Sequence, residues 1–109
     1  MSRAIAKRVL KIERDAIGRL VNRIDSNFER VVNFIAKTRG HVIVTGMGKP
    51  GFIAQKISAT LSSTGTPSLY LHPAEALHGD LGRVTKEDII LALSNSGETE
   101  EIIKLLPLL

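Results

Sequence analysis

The sequence predicts an α/β domain built on a parallel sheet, and three observations carry that prediction. From His41 onward, short apolar segments alternate with helical patterns, and strands that alternate with helices are joined by right-handed crossovers in a parallel sheet. The first apolar segment, His41-Val42-Ile43-Val44-Thr45, is β-branched with no clear in–out alternation. Such a run suits a strand covered on both faces. Two glycine- or serine-rich turns, 46–51 and 94–99, each follow a strand. They therefore share the carboxyl edge of the sheet, where folds of this class bind ligands.

Two helices come first. Ile5, Val9, Ile12, Ala16, Leu20 and Ile24 recur at spacings of three and four, one stripe of an amphipathic helix reaching to about residue 25. Ser26-Asn27-Phe28-Glu29 fits a capping box, with Ser26 as N-cap and Glu29 three residues later. The second helix carries Val31, Val32 and Ile35 and stops at Gly40. After the strand at 41–45 and the turn at 46–51, Phe52 to Ser63 reads as a helix with Ile53, Ile57 and Leu61 on one side. Gly65-Thr66-Pro67 breaks it, and Ser68-Leu69-Tyr70-Leu71 is the second strand. Residues 72–87 read as loop with one short helical turn. Asp88 to Leu93 is the third strand, and a last helix starts near Thr99. The expected order is α-α-β-α-β-loop-β-α, divided into a helical segment at 1–40 and a partial α/β unit at 41–109.

Bulk composition narrows the function classes. A chain of 109 residues with 43% hydrophobic and 24% charged residues suits one small globular domain. Aromatics are only 4%, so aliphatic packing must fill the core. The absence of cysteine excludes disulfides, thiolate nucleophiles and zinc–thiolate sites. The start, Met-Ser-Arg-Ala-Ile-Ala-Lys-Arg, lacks a signal peptide's apolar core. No apolar run reaches the ~20 residues that span a bilayer, so the expectation is a cytoplasmic protein without a membrane partner. Arg3, Lys7, Arg8, Lys11, Arg14, Arg19 and Arg23 crowd the first helix. Acidic and apolar positions interleave with them, and only Phe28 and Phe34 offer stacking rings nearby. The basic residues read as a solvated helix face rather than a nucleic-acid surface.

Three constellations carry candidate chemistry. Ser94-Asn95-Ser96-Gly97-Glu98-Thr99 brings three hydroxyls and a glycine to a strand end. Short hydroxyls and a helix start can hold a phosphate; they equally make an ordinary capped turn. Gly46-Met47-Gly48-Lys49-Pro50-Gly51 matches G-x-G-x-x-G between a strand and a helix. No acidic residue ends the second strand to hold a ribose, and Glu75 lies already in the loop. Lys49 is followed by Pro50 rather than Ser or Thr, so the segment is not a P-loop. What remains is a tight turn that sets a lysine at the ligand edge, with Pro50 suited to the first helical turn. His78-Gly79-Asp80-Leu81-Gly82 places a histidine in an irregular loop, where it can donate a proton, clamp a ligand, or satisfy a local hydrogen bond. His41 and His72 fit the structural reading better. A metal site from His72, His78 and Asp80 has no diagnostic spacing. Glu98, Glu100 and Glu101 oppose the final helix dipole, and Glu98 and Glu101 project on neighbouring parts of one face.

Taken in order, Val44–Gly51, Ser63–Pro67, His72–Gly82 and Ser94–Thr99 resemble the sugar isomerase (SIS) domain, and more narrowly the D-arabinose 5-phosphate isomerases. The resemblance spans essentially the whole chain. It implies a flavodoxin-like three-layer α/β fold, here truncated to about three strands. It also implies interconversion of D-ribulose 5-phosphate and D-arabinose 5-phosphate, which feeds synthesis of the octulosonate sugar of lipopolysaccharide. The chemistry is ring opening and a proton shift through an enediolate, with no cofactor and no metal. By motif, Lys49, His78 and Glu101 are the implied catalytic residues, with Glu98 the nearby alternative to Glu101 as the catalytic carboxylate. Gly48, Ser94, Ser96, Glu98 and Thr99 are implied to bind the substrate and its phosphate. The resemblance further implies a homo-oligomer, a tetramer in the family. The alternative is a non-catalytic phosphosugar-binding module or regulator of the same family.

Two departures accompany the resemblance. Pro50 stands where family members usually carry serine, which removes a hydroxyl and an N–H from the turn. The chain stops at Leu109, about half an SIS domain, and the expectation is a fragment that is inactive on its own.

Overall fold

The computed structural model describes Met1–Leu109 and places three strands in one parallel sheet. These are β1 (Val42–Gly46), β2 (Ser68–Leu71) and β3 (Ile89–Leu93), in the order β2-β1-β3. The register pairs Val42 with Ser68 on one side and with Ile89 on the other. β1 is therefore the central strand, and all five of its residues are buried. This is the burial that its unalternating β-branched sequence predicts.

Helices cover both faces of the sheet, giving the expected three layers. Alternate side chains of β1 point to opposite faces. Ile43 packs with Leu71, Ala76 and Leu105 on the face that carries α4 (Pro73–Leu77) and α5 (Glu100–Leu105). Val42 and Val44 pack with Ala54, Ile57 and Leu61 on the face that carries α3 (Lys49–Ser63). Each fully buried aliphatic side chain contributes about 1.5–3 kcal/mol. Buried polar atoms are paired. Ser68 donates to the Val42 carbonyl at 2.6 Å and shares a 2.8 Å hydrogen bond with Ser58, while the Thr45 hydroxyl donates to the Leu71 carbonyl. No buried side-chain nitrogen or oxygen lacks a partner.

The chain divides into two units, Met1–Asn33 and Phe34–Leu109. In the first, α1 (Ser2–Leu20) is followed by a tight 3₁₀ turn, Val21–Arg23, so the α-helix ends earlier than its apolar stripe. None of its residues is buried, and Ile5, Val9, Ile12 and Leu20 stay exposed. The next helix, α2 (Ser26–Lys37), crosses the boundary between the units. Its cap differs from the expected one. Asp25 Oδ1 accepts the N–H groups of Asn27 at 3.0 Å and Phe28 at 3.3 Å, while Ser26 already lies inside the helix. A carboxylate one residue upstream reaches the unpaired donors of the first turn and displaces the serine from that role.

Three other boundaries shift. α2 ends at Lys37, short of Gly40, which does not take the positive φ of a C′ glycine. α3 begins at Lys49 rather than Phe52, with Pro50 in its first turn. Proline there costs no hydrogen bond, because that N–H is unpaired in any helix. The segment at 72–87 holds α4 and a second 3₁₀ turn, Asp80–Arg83. His72 caps α4, its Nδ1 accepting the Ala74 N–H at 3.1 Å.

At the amino edge of the sheet, Asp88 joins β3 to β1. Its side chain is 2% exposed and accepts N–H groups from His41 and Thr85, each at 2.7 Å. The His41 ring lies 3.8 Å away. Burial pushes the Asp88 carboxyl upward, but the hydrogen bonds from His41 and Thr85, with the His41 charge, outweigh it and hold its pKa below the ordinary value.

Candidate functional site

The carboxyl edge of the sheet carries two turns that bring sequence-predicted residues together. The first leaves β1 at Gly46. Gly48, the N-cap of α3, has φ +62°, a conformation that glycine adopts without steric cost. Gly51 is fixed by close approach. A Cβ there would lie 2.6 Å from the Gly46 carbonyl oxygen and 2.9 Å from the Tyr70 hydroxyl. This tight return brings Lys49 to the first position of α3, with its side chain exposed.

The second turn leaves β3 at Leu93. Ser94 Oγ lies 2.7 Å from Thr99 Oγ1 and accepts the Gly97 N–H at 3.0 Å. Ser96 Oγ accepts the Glu98 N–H at 3.0 Å, and Gly97 has φ +72°. Only one hydroxyl proton is used between Ser94 and Thr99, so the other remains free to donate. Ser96 likewise accepts within the turn and keeps its proton. The turn is thus closed on itself and still offers hydroxyl donors to an anion. Thr99 is the N-cap of α5 without a side-chain hydrogen bond to that helix.

Lys49, Pro50, Phe52, Ile53, Ala92, Leu93, Ser94 and Asn95 line one open cavity of about 930 Å³ between the two turns. Lys49 and Ser94 therefore face the same cavity. Phe52 and Ile53 make the opposite wall apolar; both are exposed. Ile53 belongs to this cavity rather than to the buried side of the helix, where its spacing with Ile57 and Leu61 places it. Asn95 is a lining residue that the motif reading did not single out, although its place inside the serine turn was the available signal.

Of the predicted site residues only Lys49 and Ser94 line that cavity; Gly48, Ser96, Glu98 and Thr99 lie in the flanking turns outside its lining, and His78 and Glu101 lie away from it. His78 is the exposed C-cap of α4, followed by Gly79 at φ +132°. Glu101 is half-buried in the first turn of α5, whose Ile102 and Leu105 are buried. α4 and α5 pack against each other on the same face of the sheet, which puts the elements bearing His78 and Glu101 side by side. Glu98 is exposed beside the serine turn. Glu100 pairs with Lys104 at 2.8 Å across one helical turn. The hydrogen bond and charge of Lys104 lower the Glu100 carboxyl, and Glu100 raises the Lys104 amine by the same two effects. Glu100 is thus paired within its own helix, in an exposed ion pair.

Tyr70 is the other residue that sequence reading passed over. It lies on β2 beside Val44, and its hydroxyl donates to the Gly46 carbonyl at 2.8 Å. Its ring meets His72 edge to face, with centroids 6.4 Å apart. A tyrosine inside an apolar strand looks like core until the turn above it is built. Among the histidines, His72 Nδ1 is occupied by its cap, and no cluster of three metal-ligating side chains forms around it.

Comparison with known proteins follows the same outline. The SIS domain family model matches residues 34–109. The arabinose 5-phosphate isomerase KdsD of Pseudomonas aeruginosa is 53% identical over 104 residues, covering 95% of this chain and 32% of that protein. The arabinose 5-phosphate isomerase KpsF of Escherichia coli O6:H1 is 55% identical over 93 residues, 84% of this chain and 28% of that protein. An E. coli CFT073 protein solved in complex with arabinose 5-phosphate superposes with a TM-score of 0.89 at 42% identity, covering 94% of this chain and 55% of that one. The chain spans about a third of the length of the curated relatives it matches. No helix is long and apolar enough to cross a membrane.

Proposed function

The chain belongs to the SIS domain family, and on that premise we propose that it is the phosphosugar-binding part of an aldose–ketose isomerase that interconverts D-ribulose 5-phosphate and D-arabinose 5-phosphate. The observation that carries this reading is the shared cavity of Lys49 and Ser94 at the carboxyl edge of the sheet. The relative in complex with arabinose 5-phosphate, at 42% identity, supports the same ligand class.

The proposed division of labour assigns each motif residue one task. Ser94, Ser96 and Thr99 grip the phosphate through the hydroxyl protons their turn leaves free. Gly48 lets the neighbouring backbone approach the sugar, and Lys49 supplies the positive charge that a dianionic ligand and a developing enediolate both need. His78 and Glu101, on the packed pair α4 and α5, serve at the reacting carbons. Isomerisation moves a proton between C1 and C2 of the opened sugar, which requires a base and a shuttle within hydrogen-bond reach. Glu98 is the neighbouring carboxylate that orients a sugar hydroxyl. The proton shift is redox-neutral and so needs no redox cofactor. In the whole protein the product supplies octulosonate synthesis for lipopolysaccharide.

By itself the 109-residue chain is expected to bind the phosphosugar without turning it over, since it spans about a third of the length of the curated relatives. The exposed apolar stripe of α1 supports association with further copies, a tetramer in the proposed assembly. The reading is tested in the whole protein by the rate of ribulose 5-phosphate conversion. Lys49→Ala abolishes turnover without unfolding the protein; full activity in that variant overturns the role of the lysine.

A further inference from the structure

We propose that Tyr70 is a positioning residue for Lys49: its hydroxyl anchors the Gly46 carbonyl and so sets the turn that carries the lysine to the ligand edge. This rests on the phosphosugar reading of the site. The relevant span is short. Gly46 ends β1, Lys49 opens α3, and only Met47 and Gly48 lie between. Gly48 at φ +62° has no side chain with which to fix the turn, and the long lysine side chain adds its own rotamer freedom. Where the ammonium group goes therefore depends on how firmly the backbone before it is held.

Tyr70 is well suited to hold it. Its ring packs against the cluster of Val42, Val44 and Ala54, so the donor stands on a rigid base with two side-chain torsions. The 2.8 Å bond to the Gly46 carbonyl fixes a planar peptide unit, and with it the direction in which the chain leaves β1. The hydroxyl and that same carbonyl are the atoms that a Cβ on Gly51 would strike. Tyr70, Gly46 and Gly51 thus close on one point beneath the turn. The Gly51 and Phe52 N–H groups bond the Gly48 carbonyl at 3.0 and 3.3 Å within the turn, and Gly46 pairs with Leu93 on the β3 side, so Tyr70 is the side-chain anchor of Gly46 on the β2 side. Burial raises the Tyr70 phenol above its ordinary pKa against an opposing hydrogen bond with Gln55. The group remains a donor at neutral pH.

The test uses four versions of the chain: wild type, Tyr70→Phe, Lys49→Ala and the double variant. Phenylalanine keeps the ring and its packing and removes only the hydroxyl. In calorimetric titration with D-arabinose 5-phosphate, Tyr70→Phe weakens binding about fivefold to tenfold. In the Lys49→Ala background the same change has less than about a twofold effect, because a residue that acts through the lysine loses its influence with it. Equal losses in both backgrounds overturn the proposal. Amide ¹⁵N relaxation of the free chain reads the anchor directly. Tyr70→Phe lowers the order parameters of Met47, Gly48 and Lys49 and leaves Val42–Thr45 unchanged. Unchanged order parameters in the turn also overturn the proposal. A wild-type chain that binds no sugar phosphate defeats the phosphosugar reading, and the relaxation data alone then decide the role of Tyr70.

Discussion

The hydroxyl of Ser94 lies 2.7 Å from that of Thr99, closing the turn between β3 and α5 across five residues. The same Ser94 oxygen accepts the Gly97 N–H. One small side chain thus sets the shape of the proposed phosphate grip and offers part of its donor capacity. Ser94→Ala removes both partners at once. The expected cost is about 1 kcal/mol for a partly exposed pair, a fall of roughly 5 °C in Tm for a domain of this size. D-arabinose 5-phosphate affinity falls with it. Thermal unfolding and calorimetric titration of the variant check the two effects separately.

Gly51→Ala tests the close packing under the lysine turn. The added methyl meets the Gly46 carbonyl oxygen at 2.6 Å and the Tyr70 hydroxyl at 2.9 Å, and the first of these is backbone. Relief requires α3 to move away from β1, at a cost of about 1–3 kcal/mol. Chemical denaturation should show that loss. Unchanged stability would mean that the turn yields more easily than its packing implies.

Asp88 gives the fold a defined pH response. Its carboxyl pKa lies below the ordinary value. Its stabilisation is therefore fully present above the unfolded-state pKa of about 3.9 and is lost as pH falls through the folded-state value. Asp88→Asn leaves one of the two N–H groups, from His41 or Thr85, without its carboxylate partner. The expected loss at neutral pH is about 1–3 kcal/mol. Denaturation midpoints measured from pH 7 to pH 2 should fall less steeply in the variant than in the wild type.

Ile12 tests the proposed association of copies. It is 54% exposed in the apolar stripe of α1. Sedimentation velocity should show the wild-type chain as an oligomer and Ile12→Glu shifted towards monomer. A wild-type chain that sediments as a monomer at all concentrations removes the assembly from the account.

Local signals made much of this fold legible in the sequence. The β-branched run at Val42–Val44 and the breaker Gly65-Thr66-Pro67 mark their elements because burial and backbone freedom act within a few residues. What escaped the sequence depends on distant partners. Asp88 reads as the polar start of a strand until His41 and Thr85 fold onto it. Tyr70 reads as strand core until the Gly46 carbonyl arrives above its hydroxyl. Asp25 and Ser26 are both good caps, and only the geometry of the first turn chooses between them. In the site, the motif spacing located both turns but not the apolar wall of Phe52 and Ile53, whose periodicity also suits a core.

The central claim is that this chain holds a phosphosugar between the lysine turn and the serine turn. Calorimetric titration of the 109-residue chain with D-arabinose 5-phosphate tests it most directly. Saturable one-to-one binding is expected, weakened about tenfold or more by Lys49→Ala and by Ser96→Ala. D-ribulose 5-phosphate should compete for the site, and NAD and ATP should not. Absence of binding, or binding that neither substitution alters, contradicts it.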